Sequence, residues 1–420
     1  MNSNEILPRT NRAKYLIALL FVTLAAIPQP TRSDTFVVQP DGVDTNAGTA
    51  AAPWKTLQRA ANVVNAGDTV VVSDGDYAGF VCRRSGTAAQ RIVFQSKTKH
   101  GAKVTKVSPS GAVDWITLLS ASYVTIDGFE VSGAKRAGIC VRSLGDDTGA
   151  DTRDDIVQNC HSHHNGLPSG GAHDGVFTGF ALNFIVQDCE VDNNGEHGIY
   201  ISNSADNPIA RRNHSHHNKN CGIQLNADMN TGGGHQDGLI SNWLVEDNRI
   251  HDNGAGGGAG INLDGDQAGI CRNNLIYNNL ATGIALYGID GAKASSNNQI
   301  VNNTIYNPNS RRAALLIAKG ASGNIVFNNI LYSGTGAGIE AEAPFQHDYN
   351  LVSRIEGGTL AAHESSPAVS TIFVDIAAED FHPKAVSPAL RAGTASFGGV
   401  AAANKSKCAG VLVDAVAPPQ

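Results

Sequence analysis

The chain has few aromatic residues and only one long apolar run, and both shortages limit the folds open to it. Only 6% of its 420 residues are aromatic, whereas glycine alone occurs 46 times and asparagine is frequent. Hydrophobic residues still make up 41% of the chain, and they recur in short runs. This composition argues against a disordered chain and against a helical protein. It favours many short strands separated by tight turns.

The long apolar run lies close to the start of the sequence. Arg9, Arg12 and Lys14 precede the apolar stretch 15–27, and small polar residues follow it. This order predicts a secretory signal peptide over 1–33. No other stretch is apolar and long enough to cross a membrane. We therefore expect a secreted or periplasmic protein with no membrane span after signal cleavage.

Charge and cysteine content restrict the partners. Residues 1–33 hold four basic residues and Glu5, a net +3, so the chain after cleavage carries −7 − 3 = −10. Such an acidic chain argues against a nucleic-acid partner, although a local basic patch could still bind an anionic glycan. The seven cysteines are spread along the chain rather than framed as a small disulfide scaffold. We expect mostly buried thiols, with at most one bridge.

One sequence block recurs along the middle of the chain. Its copies lie at 156–165, 185–194, 209–218, 244–253, 270–279, 300–308 and 325–333, after a divergent first copy at 123–133. Alignment of the copies gives a column of small, mostly polar residues: Gly128, Cys160, Cys189, Asn213, Asn248, Asn274, Asn303 and Asn329. The spacing between column members ranges from 24 residues (Cys189 to Asn213) to 35 residues (Asn213 to Asn248). The column predicts an asparagine ladder at an inner turn.

A second block, with the pattern Gly-Ile or Gly-Val in an alternating strand, follows every copy of the first except the one at 300–308, where 313–318 fills the rung without the glycine. It occurs at 137–142, 174–179, 197–202, 221–226, 259–264, 282–287 and 337–342. Two or three short strands per repeat cannot enclose a core alone, but stacked repeats bury one continuous core. A leucine-rich repeat would have a similar period, yet its LxxLxL frame is missing. The repeats therefore predict a stacked β-solenoid.

Across residues 120–345 the repeats resemble right-handed parallel β-helix proteins. The segment 36–77 resembles the N-terminal module of β-helix polysaccharide lyases of the pectate lyase family 9 and chondroitin and alginate lyase types. The resemblance implies an all-β, right-handed parallel β-helix with a capping helix over 54–65 and a first strand over 68–72. It divides the mature chain into an N-terminal cap with the first rungs (34–110), β-helix repeats (111–345) and a C-terminal capping region (346–420).

The strand register predicts which side chains face outward together. In each Gly-Ile strand the aliphatic residue points inward, so the alternate positions form columns across neighbouring rungs. In the lyases that the chain resembles, this face carries the substrate groove. Amides, a tyrosine and an arginine suit a chain of sugars. The predicted substrate-binding residues are Arg142, Gln224, Asn226, Asn262, Asp264 and Tyr287.

The segment 163–201 is similar to the calcium-cluster region of pectate lyase family 9. The similarity places Asp174 on a calcium aspartate of that family, Glu196 and His197 on its paired aspartates, and Gln224 on its catalytic lysine. It therefore implies Asp174 and Glu196 as metal ligands and Ca²⁺ as a candidate cofactor. A second acidic cluster adds Asp228 and Asp266 to the predicted ligands.

The outward positions of one strand also predict catalytic residues. His197 and Tyr200 are neighbours on that strand, and Asp174 lies beside His197 one rung away. We expect Asp174 to orient His197 and to raise its pKa. Lys219, in the turn before Gln224, is an alternative base.

Seven of the fourteen histidines lie in or beside two copies of HSHHN and the related HDN segment. In the predicted register, acidic residues lie between histidines on adjacent rungs. Protonation below about pH 6.5 would pair the two kinds of residue in a structural charge ladder. The alternative is a Zn²⁺ site at His163, Asp192 and His216.

Together these features predict an exported, monomeric protein that cleaves an acidic, uronate-containing polysaccharide by β-elimination. Three alternatives stay open: a non-catalytic glycan-binding or structural β-helix protein, a glycoside hydrolase, and an epimerase on the same fold.

Overall fold

The computed structural model describes residues 33–143, 152–166, 173–230, 237–402 and 409–410. The predicted signal peptide, except for Ser33, lies outside these residues. Within them, no helix has both the length and the apolar character that a membrane crossing needs.

Each turn of the coil adds one strand to each of three parallel sheets, and the strands pair in register from one turn to the next. The right-handed parallel β-helix expected from the sequence is confirmed. The parallel pairing runs continuously from Thr35–Val38 to Ile355–Glu356. The three sheets, numbered in the order in which the chain passes through them in one turn, enclose a single core.

Sheet 1 comprises Thr35–Val38, Thr69–Val72, Ile92–Ser96, Val124–Asp127, Ile156–Gln158, Ile185–Gln187, Ile209–Arg211, Leu244–Glu246, Ile270–Arg272, Gln299–Val301, Ile325–Phe327 and Gln346–Asp348. Sheet 2 comprises Gly75–Ala78, Ala102–Lys106, Glu130–Ser132, His161–His163, Glu190–Asp192, His214–His216, Arg249–His251, Leu275–Tyr277, Thr304–Asn307, Ile330–Ser333 and Leu351–Val352. Sheet 3 comprises Phe80–Cys82, Ile116–Leu119, Ile139–Arg142, Val176–Gly179, Ile199–Ser202, Ile223–Asn226, Ala259–Asp264, Thr282–Tyr287, Leu315–Ile317, Ile339–Ala341 and Ile355–Glu356.

Short accessory elements complete the described chain. The two-stranded pairs are Thr152–Arg153 with Ala181–Leu182, Ile240–Ser241 with Asp266–Gln267, Phe373–Asp375 with Asp380–Pro383, and Ser396–Phe397 with Val400–Ala401. The helices are Leu57–Val63 and Ala389–Ala392, and the 3₁₀ turns are Val369–Thr371 and Ile376–Ala378.

The turn between sheets 1 and 2 explains why polar residues recur there. One residue of each such turn adopts a left-handed conformation, for example Asn159, Asp188 and Asn273 with φ of 54°, 55° and 60°. Asparagine and aspartate tolerate this region better than other L-residues because a short polar side chain can bond locally. The next residue of the turn points inward and belongs to the predicted ladder.

The asparagine ladder is confirmed. The Oδ1 of Asn274 accepts a hydrogen bond from the backbone N–H of Asn248 at 3.0 Å and another from its side-chain amide at 2.9 Å. The same two bonds join the other members of the series: Asn213, Asn248, Asn274, Asn303, Asn329 and Asn350. Each buried amide therefore connects its own rung to the next, and the ladder satisfies backbone N–H groups that the turn leaves without strand partners.

A second ladder of buried asparagines lies at the turn after sheet 2. Its members are Asn165, Asn194, Asn218, Asn253, Asn279 and Asn307. Sequence reasoning missed it, although the asparagine that ends five of the first blocks, from 156–165 to 270–279, was the visible signal.

The glycine of each Gly-Ile pair permits close packing at the entrance to sheet 3. A Cβ at Gly198 would lie 2.2 Å from Ser215 Oγ, and one at Gly283 would lie 2.3 Å from the Ala314 carbonyl oxygen. The turn from sheet 2 to sheet 3 therefore has no room for a side chain at these positions.

The N-terminal helix covers one end of the core, as the sequence predicted. It is shorter than expected, Leu57–Val63, and the Thr56 hydroxyl accepts a hydrogen bond from the Arg59 N–H at 3.1 Å as its N-cap. Leu57, Ala60, Ala61 and Val64 are all buried. The prediction that 68–72 forms the first strand is wrong. Thr35–Val38 comes earlier in the chain and pairs with Thr69–Val72.

The C-terminal segment packs on the outside of the β-helix. Phe373 and Phe381 of its hairpin contact the outward-facing Leu275 and Tyr277 of sheet 2. A smaller cluster joins Ala402 to Phe327 of sheet 1. All six described cysteines are buried and free, as expected for small apolar groups, while Cys408 lies outside the described residues.

Substitution Asn274→Ala should lower the free energy of unfolding by about 2 kcal/mol or more, because buried groups on both neighbouring rungs lose a partner. Urea denaturation followed by circular dichroism measures this change. The control Gln299→Ala removes a half-buried amide from sheet 1 and should change stability by less than about 0.5 kcal/mol. Equal losses in the two variants would contradict a special role for the ladder.

Candidate functional site

The outer face of sheet 3 carries the predicted site, and its register confirms the predicted columns. Phe177, Tyr200, Gln224 and Asn262 occupy the same position on successive rungs. From Ile116–Leu119 to Leu315–Ile317 the sheet makes seven rung steps, so this face is roughly 34 Å long. A face of this length can accommodate an extended polymer.

Four of the predicted substrate-binding residues form one hydrogen-bonded row. The Asn262 amide donates to Gln224 Oε1 at 2.7 Å and to the Tyr287 hydroxyl at 2.6 Å. The Gln224 amide donates to Asn226 Oδ1 at 3.0 Å. Gln224, Asn226 and Asn262 are nearly buried. The row is therefore held in a fixed geometry, which favours binding of a ligand without reorganisation.

Asp264 has a different role from the one predicted. Its carboxylate accepts hydrogen bonds from the backbone N–H groups of Ile289, Asp290 and Gly291 at 2.8, 3.2 and 3.3 Å. These bonds hold the loop that follows Tyr287. Asp264 is thus a loop anchor, because the loop N–H groups occupy the oxygens that a sugar would need.

Asp174, Glu196 and His197 lie together at the edge of this face, and their potential ligand atoms lie within 4.8 Å of one another. Asp174 is fully buried, and its Oδ1 accepts a hydrogen bond from the His197 backbone N–H at 3.3 Å. Its Oδ2 makes no hydrogen bond among the described residues. Burial, followed by the nearby charge of Glu196, raises the pKa of Asp174 well above its usual value. Burial therefore favours the protonated form of Asp174.

The prediction that Asp174 orients the His197 ring and raises its pKa is wrong. Asp174 contacts the backbone of His197, and the ring Nδ1 instead accepts the Cys221 N–H at 3.1 Å. Burial lowers the pKa of His197 to about 4. The neutral ring must carry its proton on Nε2, which lies 3.6 Å from Glu196 Oε1. His197 is therefore a hydrogen-bond donor at neutral pH, with no ring nitrogen free to accept a proton.

Tyr200 contacts His197 as the sequence predicted. The two rings meet edge to face with centroids 5.1 Å apart, and Tyr200 also meets Phe177 at 5.5 Å. Burial, then the charges of Asp174 and Glu196, raise the pKa of the Tyr200 phenol. Tyr200 therefore keeps its proton at neutral pH and can donate it.

An arginine-lined cleft of about 770 Å³ lies at the N-terminal end of the same sheet. Arg83, Arg84, Arg136 and Arg142 line it, together with Asp114. Asp114 is bonded to Arg136 at 2.8 Å, so the cleft keeps an excess of positive charge. The buried Nε of Arg142 makes no hydrogen bond among the described residues.

Sequence reasoning found only Arg142 of these four arginines. The available signal was that Arg83 and Arg84 follow directly on Phe80–Cys82, a strand of the same sheet. Arg136 connects the cleft to the outer face of sheet 3. Its guanidinium lies 5.3 Å from the centre of the Phe177 ring.

The remaining predicted site residues lie apart from this cluster. Lys219 is exposed in its turn, with its side chain against Gly256, and the described contacts do not bring its amine to His197 or Tyr200. Asp228 accepts the Asn230 N–H in a local turn at 2.7 Å. Asp266 is fully buried, and burial raises its pKa well above the usual value. The second acidic metal cluster predicted at Asp228 and Asp266 is therefore not formed among the described residues.

The donor set at Asp174 does not fit calcium. Calcium takes six to eight oxygen ligands, whereas this cluster offers two carboxylates and an imidazole. Asp174 Oδ1 is engaged by the His197 backbone, and Glu196 Oε1 accepts the Asn220 amide at 3.4 Å. Imidazole suits softer cations than calcium.

Sheet 2 carries the predicted grid of histidines and acids, called the histidine face below. The register is confirmed on consecutive rungs: His161, Glu190, His214 and Arg249 form one column, and His163, Asp192, His216 and His251 form the other. The set His163, Asp192 and His216 does not converge, because Asp192 bonds His161 at 2.6 Å and His163 faces Glu130 at 3.6 Å.

The expected charging of all these histidines below pH 6.5 holds for only part of the grid. Burial opposes protonation of His161, but the hydrogen bond to Asp192 outweighs it and raises the pKa of His161. Burial likewise opposes ionisation of Asp192, but hydrogen bonds from His161 and Asn193 lower its pKa to about 2. Burial and neighbouring cations lower the pKa of His214 and of His251 to about 3. These two rings therefore stay neutral.

Comparison with known proteins agrees with this architecture. Residues 36–180 match the family described as Pel9A-like, right handed beta helix region, and residues 227–343 match the family described as right handed beta helix region. The chain is a right-handed β-helix protein.

Two solved structures and one curated protein illustrate what this β-helix is similar to. The pectate lyase Pel9A structure is 17% identical with a TM-score of 0.62 and covers 90% of this chain and 96% of its own. A rhamnogalacturonan lyase is 16% identical with a TM-score of 0.58 over 82% and 91%. The uncharacterized protein YwoF of Bacillus subtilis (strain 168) is 24% identical over 72% of this chain and 75% of its own length. At these identities the likeness shows the fold alone.

Acidification should destabilise the β-helix through His197. The pKa of His197 is about 4 in the folded protein and about 6.5 in the unfolded chain. Between pH 6.5 and pH 4 the unfolded chain therefore binds a proton at His197 that the folded protein does not. The free energy of unfolding therefore falls by up to roughly 3 kcal/mol as pH drops from 6.5 to 4.

The variant His197→Gln should lose this part of the pH dependence in urea denaturation at several pH values. Its stability at pH 8, where the histidine is neutral in both states, measures the cost of the substitution itself. Parallel curves for wild type and variant would contradict a depressed His197 pKa.

Proposed function

We propose that this protein is an exported polysaccharide lyase that cleaves an acidic, uronate-containing polysaccharide by β-elimination. The observation that carries the proposal is the arginine-lined cleft, which lies on the same sheet face as the row of buried amides and the pair of proton donors His197 and Tyr200. The solved structures of similar fold are named as lyases of pectate and of rhamnogalacturonan, and a further one as a mannuronic acid specific family 6 lyase with a TM-score of 0.51.

The arginine-lined cleft supports an anionic substrate. The chain as a whole is acidic, with a net charge of −7, so a concentration of arginines in one concave site is a local feature. Arg142 lies one rung from Val176–Gly179 and two rungs from Tyr200. A uronate carboxylate bound at Arg142 would therefore place its sugar about 10 Å or less along the sheet from Tyr200. Arginine suits this task because its planar fork matches a carboxylate.

The side chains can then divide the elimination between them. A guanidinium that pairs with the carboxylate stabilises the negative charge that develops when the α proton leaves. Glu196 is the carboxylate beside the two donors, and we assign it as the base that takes this proton. The electrons form a carbon–carbon double bond, the glycosidic oxygen leaves the β carbon, and the Tyr200 hydroxyl protonates it. His197 Nε2–H positions Glu196.

Asp174 and Glu196 differ in their burial on this face. Burial raises the pKa of the fully buried Asp174, so we assign the partly exposed Glu196 as the proton acceptor.

Incubation with a panel of polyuronates and sulfated glycosaminoglycans should produce ultraviolet absorbance from unsaturated chain ends with at least one polymer. On that polymer Tyr200→Phe should lower kcat/KM about 100-fold or more, since general acid catalysis is lost. Arg142→Ala should lower it about 10-fold or more, since a charged hydrogen-bond donor to substrate is lost.

The control Arg391→Ala removes an exposed arginine from the C-terminal helix Ala389–Ala392 and should leave the rate unchanged. Polymer retention on a gel without absorbance would replace the proposal with a glycan-binding protein. New reducing ends without absorbance would replace it with a hydrolase.

A further inference from the structure

We propose that the histidine face of sheet 2 holds a binding site for one divalent transition-metal ion such as Zn²⁺, with Glu190, His214 and His216 as its protein ligands. These residues lie on two neighbouring strands, Glu190–Asp192 and His214–His216. The site is on a different sheet from the cleft and the acid cluster. It is therefore independent of the proposed lyase activity.

The distances between the potential ligand atoms are close to those of a metal centre. Glu190, His214 and His216 each offer an atom within 4.8 Å of the other two. His216 Nε2 lies 3.3 Å from Glu190 Oε1. Ligand atoms around a tetrahedral Zn²⁺ lie about 3.3 Å apart, given bond lengths of about 2.0–2.1 Å. The Glu190–His216 pair already has this separation, and His214 lies close enough to act as the third ligand.

The hydrogen-bond partners of two ligand rings hold them in place. His216 Nδ1 bonds His217 Nδ1 at 2.8 Å, so its Nε2 is left for the ion on the side of Glu190. His214 bonds His251 at 2.7 Å, and His251 in turn bonds Asp252 Oδ2 at 2.6 Å. Hydrogen-bond partners of this kind orient ligating histidines.

The β-helix itself holds the rings in place. His216 and His251 stack with centroids 5.0 Å apart and planes 6° from parallel, and His251 stacks in turn on Tyr277 at 4.6 Å. Tyr277 is buried beneath Phe381 of the C-terminal hairpin. The ligands therefore sit on a rigid wall whose spacing is set by the backbone. Glu190 is partly exposed, which leaves a path for the ion.

The donor set selects the kind of metal. Two imidazoles and one carboxylate, with water in the fourth position, suit borderline cations such as Zn²⁺ and exclude calcium and magnesium, which take oxygen ligands. The nearest fixed cation, Arg249, is paired with Glu379 at 3.0 Å, which reduces its repulsion of the ion.

Calorimetric titration of chelator-treated, tag-free protein with Zn²⁺ tests this site. One ion should bind per chain, and Co²⁺ in its place should show the visible absorption of a tetrahedral centre. His216→Ala and Glu190→Gln should each weaken Zn²⁺ binding at least about 10-fold. Glu190→Gln keeps the shape of the side chain, so it tests the site even if His216→Ala fails to fold.

Two matched controls separate this site from other histidines. His382→Ala removes an exposed histidine of the C-terminal hairpin and should leave Zn²⁺ binding unchanged. His197→Ala removes the ligand atom of the acid cluster and should also leave it unchanged. Zinc affinity that is unaffected by both His216→Ala and Glu190→Gln, or the lack of any saturable binding, would overturn the proposal and leave the histidine face as a structural stack.

Discussion

Every functional feature of this protein depends on the hydrogen bonds that connect one rung of the coil to the next. The main-chain bonds of three parallel sheets set a spacing of about 4.8 Å between rungs, and the two ladders of buried asparagines maintain that spacing through the turns. In these ladders an amide oxygen accepts both a backbone and a side-chain N–H of the neighbouring rung. Because neither ladder faces water, a slipped register would leave several buried polar groups without partners. The spacing converts residues that are far apart in sequence into neighbours on a surface.

The three sheets use the same spacing for different purposes. Sheet 3 presents a long polar face with arginines at one end and a row of bonded amides, and its hydroxyl and imidazole donors lie between them. Sheet 2 presents histidines and carboxylates on its earlier rungs and apolar side chains on its later rungs. The C-terminal hairpin covers those later rungs through Phe373 and Phe381, so the histidine face ends at Tyr277, where the cover begins. The C-terminal hairpin and the histidine face therefore occupy different rungs of the same sheet.

Burial decides the protonation of side chains that the sequence presents as equivalent. Asp174 and Asp192 both lie beside a histidine, yet burial raises the pKa of Asp174 well above its usual value, whereas hydrogen bonds from His161 and Asn193 lower the pKa of Asp192 to about 2. His197 likewise loses its basic character because a backbone N–H occupies Nδ1 and little water reaches the ring. Proton donors and acceptors on the proposed lyase face are therefore assigned by their surroundings. Proximity in the strand pattern alone would assign His197 as the base.

The sequence by itself determined the repeating architecture, the inward and outward alternation, the first asparagine ladder, the helical cap and the columns on sheets 2 and 3. These features follow from a local period that recurs in every copy of the repeat. A single copy that departs from this period therefore does not change the prediction. Only the tertiary structure decided which outward atoms meet. It turned Asp264 into a loop anchor, placed Asp228 in a local turn and buried Asp266. It also brought Arg83 and Arg84 beside Arg142, and placed His251 rather than His163 beside His214. The physical reason is that these outcomes depend on loop paths, side-chain directions and access of water, none of which follows the period of the repeat.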